Sequence, residues 1–286
     1  MNCFFVSDLH GRLERYRKLF LAVRNEHPTA VFFGGDILPS ALKTFLNPDS
    51  PPQDFFEGFF IKELFQLKKD LKRHFPKIFL ILGNDDSRME EKKILDAEKS
   101  GLLEYVHNKK VPFDSYRVFG YAYVPPSPFL LKDWEKYDVS RYVDPGSVSP
   151  EEGFRSMAVL EDEVRYSTIA KDLDRLAGDE DLSRAIFLFH SPPYKTKLDR
   201  AALDGKMIDH VPLDLHVGSI AIKRFIEKRQ PMLSLHGHIH EAPRLTQTWK
   251  DRIGKTRVFS AAHDGPELAL VRFNLENQEM ATRELL

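Results

Sequence analysis

Phe4-Phe5-Val6-Ser7-Asp8-Leu9-His10 is the stretch that decides how the chain is read. A short run of aromatic and β-branched residues suits a strand buried on both faces. The polar cluster that follows places a carboxylate and an imidazole two residues apart at the strand's carboxyl end. The same pattern recurs four times further along. Ala30–Phe33 precedes Gly34-Gly35-Asp36, and Ile78–Leu82 precedes Gly83-Asn84-Asp85-Asp86. Ala185–Phe189 precedes His190-Ser191-Pro192-Pro193, and Met232–Leu235 precedes His236-Gly237-His238-Ile239-His240. Helical spacing fills the gaps: Leu13, Tyr16, Phe20 and Val23; then Ile61, Leu64, Leu67 and Leu71; then Val164, Thr168, Leu173 and Leu176, closed by Gly178. Ser219 is placed to cap a fourth helix carrying Ile220, Ile222, Phe225 and Ile226. Strand–helix alternation predicts an α/β fold with parallel strands. Ligands of such sheets gather beyond the carboxyl ends of the strands, where all five polar clusters lie.

The tail reads differently. Arg244–Trp249, Thr256–Ala261, Leu268–Leu275 and Glu279–Arg283 look like consecutive strands, with turns at 251–254 and 275–278. They predict an antiparallel addition to a second sheet. Residues 124–150 are rich in proline, aromatics and charge and predict a long ordered loop or cap. No repeat or composition break divides the chain, so 1–286 is expected to form a single domain.

Composition narrows the partners. The 286 residues carry 42 basic and 43 acidic side chains, a net charge of −1. That balance and the lack of a long basic tract argue against nucleic acid. No run approaches the ~18 apolar residues of a membrane span, and the N-terminus lacks the basic region of a signal peptide. With one cysteine, Cys3, an internal disulfide and a Cys-rich zinc ribbon are excluded. The expectation is a cytoplasmic protein with no membrane partner; a monomer and a homodimer are both compatible with it. Eleven histidines point instead to metal held by nitrogen and oxygen.

Asp8, His10, Asp36, Asn84, His190, His238 and His240 supply two carboxylates, one amide and four imidazoles. These donors suit divalent Mn, Fe or Zn. Seven are too many for one ion and fit two that share a carboxylate. A two-metal site, with ions about 3.5–4 Å apart, clamps a phosphate and activates a bridging hydroxide.

In their order, the five clusters resemble the signature of the calcineurin-like metallophosphoesterase superfamily: Asp-x-His, Gly-Asp, Gly-Asn-His-Asp/Glu, His and Gly-His-x-His. The matches run from Asp8 to His240. The resemblance implies a four-layer αββα sandwich of two mixed sheets flanked by helices. It implies that Asp8, His10, Asp36 and His240 hold one ion and that Asp36, Asn84, His190 and His238 hold the other, with manganese favoured. The bridging hydroxide would then attack a phosphomonoester or phosphodiester of a small molecule or nucleotide.

One position departs from the pattern. Asp85 stands where the family carries the histidine that bonds the phosphate and protonates the leaving group; Asp86 matches the acidic residue after it. An ionised Asp85 would repel phosphate. It would serve as the catalytic acid only if burial kept it protonated. Otherwise His216 or His263 enters from a loop, or the leaving group departs without an acid. The substitution also supports a rival reading, a non-catalytic metal-binding scaffold on the same fold.

Other residues have weaker claims. His216-Val217-Gly218-Ser219 begins a predicted helix, which either binds phosphate through its amides or is simply capped. His236 reads as a support for the ligands, and His263 as part of a turn. His27, His74 and His107 are expected to be exposed. Lys195, Lys197 and Arg200 either screen phosphate or lie on a solvated loop. Tyr121, Tyr123, Phe129, Trp134 and Tyr137 read mainly as core, with stacking on a nucleobase as the alternative.

Overall fold

The computed structural model describes residues 1–40 and 54–286. Its strands are β1 (Asn2–Val6), β2 (Ala30–Gly34), β3 (Lys77–Ile81), β4 (Glu104–Tyr105), β5 (Lys110–Phe113), β6 (Tyr116–Tyr121) and β7 (Ala185–Phe189). They continue with β8 (Met207–Ile208), β9 (Val211–Pro212), β10 (Leu233–His236), β11 (Lys250–Ile253), β12 (Thr256–Ser260), β13 (Ala269–Asn274) and β14 (Asn277–Leu285). They form two six-stranded sheets, ordered β14-β13-β1-β2-β3-β4 and β11-β12-β10-β7-β6-β5, and the small hairpin β8-β9. β1 through β4 are mutually parallel, as are β6, β7, β10 and β12. β13, β14, β11 and β5 add antiparallel edges, so both sheets are mixed.

Side-chain alternation along each strand builds the layers. On β2, Phe32 faces the second sheet, its ring 6.3 Å from that of Phe113, whereas Phe33 faces outward against Phe60 at 5.6 Å. Phe60 lies in a π-helical turn, Phe56–Ile61, that leads into the helix Lys62–Leu71. Across the other sheet, Phe187 of β7 meets Phe225 of the helix Ile220–Arg229 at 5.0 Å. Phe259 and Phe273 close the two sheets on each other at 6.1 Å. Helix, sheet, sheet and helix are thus packed by aromatic residues, each contributing about 2 kcal/mol by leaving water.

The five predicted strands form, as do the helices Leu13–Glu26 and Ile220–Arg229, where the Ser219 hydroxyl accepts from the Ile222 amide at 3.0 Å. Other expectations need correction. The third predicted helix is two, Glu161–Tyr166 and Ile169–Ala177. Thr168 cannot continue the first because its extended backbone and hydroxyl cap the second. Arg244–Trp249 is no strand: Pro243, in the first turn of a short helix, Ala242–Thr246, supplies a preset φ there. The tail also does not join one sheet. β11 and β12 extend the second, with β12 parallel to β10, and β13 and β14 cross over to flank β1.

The predicted loop is ordered by packing into the main core. Trp134 and Tyr137 are buried, and the Trp134 indole N–H donates to the Asp86 carbonyl at 3.0 Å. The fully buried Lys132 pairs with Glu135 at 2.5 Å. His107, expected in water, is buried beside Tyr105, Tyr121, Tyr123 and Trp134, and its Nδ1 accepts from the Ala122 amide at 3.0 Å. Burial, aided by Arg88, holds its pKa down at about 3. No helix among the described residues is long and apolar enough to cross a membrane.

Candidate metal centre

Because β1, β2, β3, β7 and β10 share one direction within their sheets, their carboxyl ends can deliver side chains to one edge of the sandwich. Backbone bonds set the loops there. The Asp8 amide donates to the Gly35 carbonyl at 2.9 Å, and the His10 amide to that of Asp36 at 2.8 Å. The Gly237 amide reaches the His190 carbonyl at 2.9 Å. His190 Nδ1 contacts the Gly34 carbonyl at 2.7 Å, tying the second sheet to the first. Asp8, His10, Asp36 and His238 all have left-handed backbones, with φ of 57°, 49°, 50° and 76°. Each costs on the order of 1 kcal/mol or more in a residue with a Cβ, and all four belong to the predicted ligand set.

Ligand atoms of Asp8, His10, Asp36 and His240 lie within 4.8 Å of one another. His10 Nε2 and His240 Nε2 face each other at 3.2 Å, and His240 Nε2 is 3.2 Å from Asp8 Oδ1. His190 Nε2 lies 3.4 Å from Asp36 Oδ2 and 3.0 Å from Asn84 Oδ1. The His238 ring centre is 5.1 Å from that of His190, and its backbone amide donates to Asp8 Oδ1 at 3.0 Å. Asp8, His10, Asp36 and His240 thus form one close group, with His190 beside Asp36 and with Asn84 and the His238 ring beside His190; Asp36 Oδ2 is 3.9 Å from His10 Nε2.

Electrostatics shows a site arranged for cations. Burial opposes ionisation of Asp8 and Asp36, but nearby imidazoles prevail; they hold Asp8 far below the usual range and Asp36 at about 2. Burial likewise opposes charge on His10 and His190. Hydrogen bonding to Asp85 and the field of Asp36 lift His10 to about 9, and Asp36 lifts His190 to about 9. Protons and a divalent ion would compete for the same imidazole nitrogens. The space fits as well. A Cβ on Gly83 would lie 2.4 Å from Asp36 Oδ1 and 2.6 Å from His190 Nε2, so only glycine lets the loop pass so close to these donors. A close nitrogen–oxygen donor set with its approach kept open suits divalent metal.

The surrounding residues sort differently from expectation. Asp86 is buried and accepts from the amides of Ile37, Leu38 and Gly83 at 3.2, 2.7 and 2.9 Å, locking the β2 and β3 loops together. Burial and the Asp36 charge raise its pKa to about 7. His236 is a structural support: it is buried, stacked on Phe189 and held by the Ser191 carbonyl at 2.8 Å. His263 pairs with Glu267 at 2.8 Å. The helix N-terminus after His216 is already filled by Asp138, which accepts from the Ile220 amide at 2.7 Å and the Ala221 amide at 3.2 Å. Phosphate binding by those amides is thereby ruled out in this arrangement.

His216 itself is one-third exposed, and its Nδ1 is 2.8 Å from Asp199, a fully buried carboxylate. Sequence reasoning missed Asp199, because nothing in the spacing marks it as the partner of a histidine 17 residues away. It also missed Arg15, whose guanidinium bonds the Asp8 carbonyl from the helix Leu13–Glu26. Tyr121, Tyr123, Trp134 and Tyr137 are buried, as the core reading has it; Phe129 is exposed. Lys195 and Lys197 are exposed, and Arg200 pairs with Asp204 at 2.5 Å.

The profile of the calcineurin-like phosphoesterases matches residues 1–242. Among solved structures, the protein TT1561 of Thermus thermophilus is similar at 15% identity and a TM-score of 0.56, over 99% of this chain and 98% of that one. A dimetal phosphatase from Danio rerio is similar at 12% identity and a TM-score of 0.52, over 95% of this chain and 91% of that one. At such identities the likeness shows the fold. No curated protein sequence matches the chain.

Proposed function

Because the chain belongs to the calcineurin-like phosphoesterase family, we propose that it is a metal-dependent phosphohydrolase with a dinuclear centre, acting on a phosphorylated small molecule or nucleotide. The observation that carries this reading is the place of Asp36, with Oδ2 3.9 Å from His10 Nε2 and 3.4 Å from His190 Nε2. A carboxylate so placed serves both halves of the ligand set. Asp8, His10, Asp36 and His240 would hold one ion; Asp36, Asn84, His190 and His238 would hold the other. When bound, two divalent ions, with manganese preferred over iron or zinc, would polarise the phosphoryl oxygens and lower the pKa of the attacking water.

The chain's own residues supply the rest. The Asn84 side-chain amide has its oxygen turned to His190, which leaves its N–H groups to donate to a phosphoryl oxygen. His216 is the proton donor to the leaving group. Its Nδ1 is held by Asp199, which orients the ring; donation from Nε2 requires the doubly protonated imidazole. β13 and β14 flank β1, so we treat residues 1–286 as one working unit. A balanced charge and a single buried cysteine are in keeping with a small-molecule enzyme of the cytoplasm.

The test is metal-reconstituted hydrolysis of p-nitrophenyl phosphate and of bis-p-nitrophenyl phosphate. Activity should require Mn²⁺, Fe²⁺ or Zn²⁺, and His240→Ala should lose metal and activity together. Metal binding without hydrolysis of either ester would favour the rival scaffold reading, which Asp85 supports.

A further inference from the structure

Asp85 is engaged through its amide and through both carboxylate oxygens. The amide donates to Asp36 Oδ1 at 2.8 Å, Oδ1 accepts from the Ser40 hydroxyl at 2.8 Å, and Oδ2 lies 3.2 Å from His10 Nδ1. The side chain is about one-quarter exposed, at 26%. His10 is therefore held from both sides of its ring. Nδ1 meets Asp85, while Nε2 points among the ligand atoms of His240 and Asp36, at 3.2 and 3.9 Å.

We propose that Asp85 is a positioning residue that holds His10 by Nδ1, so that Nε2 is presented to the metal, and that it is not the proton donor to the leaving group. The inference rests on the metal-centre reading above. A neutral imidazole ligates through the nitrogen that lacks the proton. A carboxylate on Nδ1 keeps the proton there, leaves the Nε2 lone pair free, fixes the ring plane and makes the ligand more basic. Both of its carboxylate oxygens are engaged within the chain, Oδ1 by the Ser40 hydroxyl and Oδ2 by His10 Nδ1, so the side chain is turned to a ligand and not to substrate. The position is thus converted from one that touches substrate to one that acts through a ligand.

The experiment is calorimetric titration of Mn²⁺ into metal-free wild type, Asp85→Ala and Asp85→Asn, with thermal melts of each metal-free protein. Asp85→Ala should weaken the tighter or the weaker Mn²⁺ step by about 10- to 100-fold, with little change in the metal-free melting temperature. Asp85→Asn keeps an oxygen that can accept from Nδ1–H and should recover most of that affinity. If Asp85→Ala is unfolded, Ser40→Ala serves in its place, with a few-fold weakening expected. Hydrolysis across phenyl phosphodiesters of rising leaving-group pKa should show the same slope in Asp85→Asn as in wild type.

Wild-type Mn²⁺ affinity in a folded Asp85→Ala would overturn the proposal. So would an Asp85→Asn variant that binds Mn²⁺ normally but shows a steeper leaving-group slope, because that marks a lost proton donor. Wild type that binds no Mn²⁺ at all would overturn the metal-centre reading and this proposal with it.

Discussion

Gly83→Ala is the sharpest single probe of how the centre is packed. The new Cβ would lie 2.4 Å from Asp36 Oδ1, 2.5 Å from the Asp36 amide nitrogen and 2.6 Å from His190 Nε2, whereas ordinary contact begins near 3.4 Å. The nearest atom must therefore move by about 1 Å. None of the three can swing aside cheaply. The amide belongs to the backbone, Asp36 Oδ1 accepts from the Asp85 amide at 2.8 Å, and the His190 ring is fixed through the Gly34 carbonyl. Overpacking of this kind costs roughly 1–3 kcal/mol, partly offset by about 0.4–1 kcal/mol from the stiffer unfolded chain. A net loss near 1 kcal/mol lowers the melting temperature by only a few degrees. The larger effect falls on function, since Asp36 and His190 are both proposed ligands: a displacement near 1 Å can cost about 100-fold in rate. The assay pairs Mn²⁺ titration with hydrolysis of bis-p-nitrophenyl phosphate. Gly58→Ala is the control, because nothing lies within 4 Å of a Cβ there. Mn²⁺ affinity and activity within twofold of wild type in Gly83→Ala would refute the argument that these donors are close-packed around that glycine.

Two further outcomes follow from residues away from the ligands. His107 is buried among tyrosines, with the charges of Arg88, Lys136 and Lys109 nearby, and titrates at about 3. The unfolded chain takes up its proton near pH 6.5, so below that pH it binds more protons and the fold loses stability until about pH 3; urea melts of His107→Phe should show a flatter acid limb than wild type. Asp138→Ala removes the carboxylate that accepts from Ser219, Ile220 and Ala221. It should cost about 1–2 kcal/mol and speed amide exchange in residues 134–138 together with the first turn of the helix Ile220–Arg229; unchanged exchange in the loop would show that Asp138 does not anchor it.

The sequence by itself determined the strand ends and what they carry. Apolar runs such as Phe4–Val6 and Ala185–Phe189 are legible because burial on both faces leaves few alternatives to a strand. The order of Asp8, Asp36, Asn84, His190 and His238 along the chain marks the family, because the chemistry needs those donor types. Local signals also sufficed for Ser219, whose cap lies within three residues of its partner. Tertiary structure decided what depends on distant partners. Leu268–Leu275 reads as a strand anywhere, but only the edge left open beside β1 draws β13 away from the second sheet. His107 looks like a polar loop residue until a ring of aromatics from β6 and the following loop closes over it. Asp85 shows the division most clearly. Its identity states that the usual histidine is missing. Its contact with His10, 75 positions away in the chain, exists only because β1 and β3 end on the same edge. Periodicity and spacing carry information over a few turns or strands; hydrogen bonds between loops are set by which strands the sheet brings side by side.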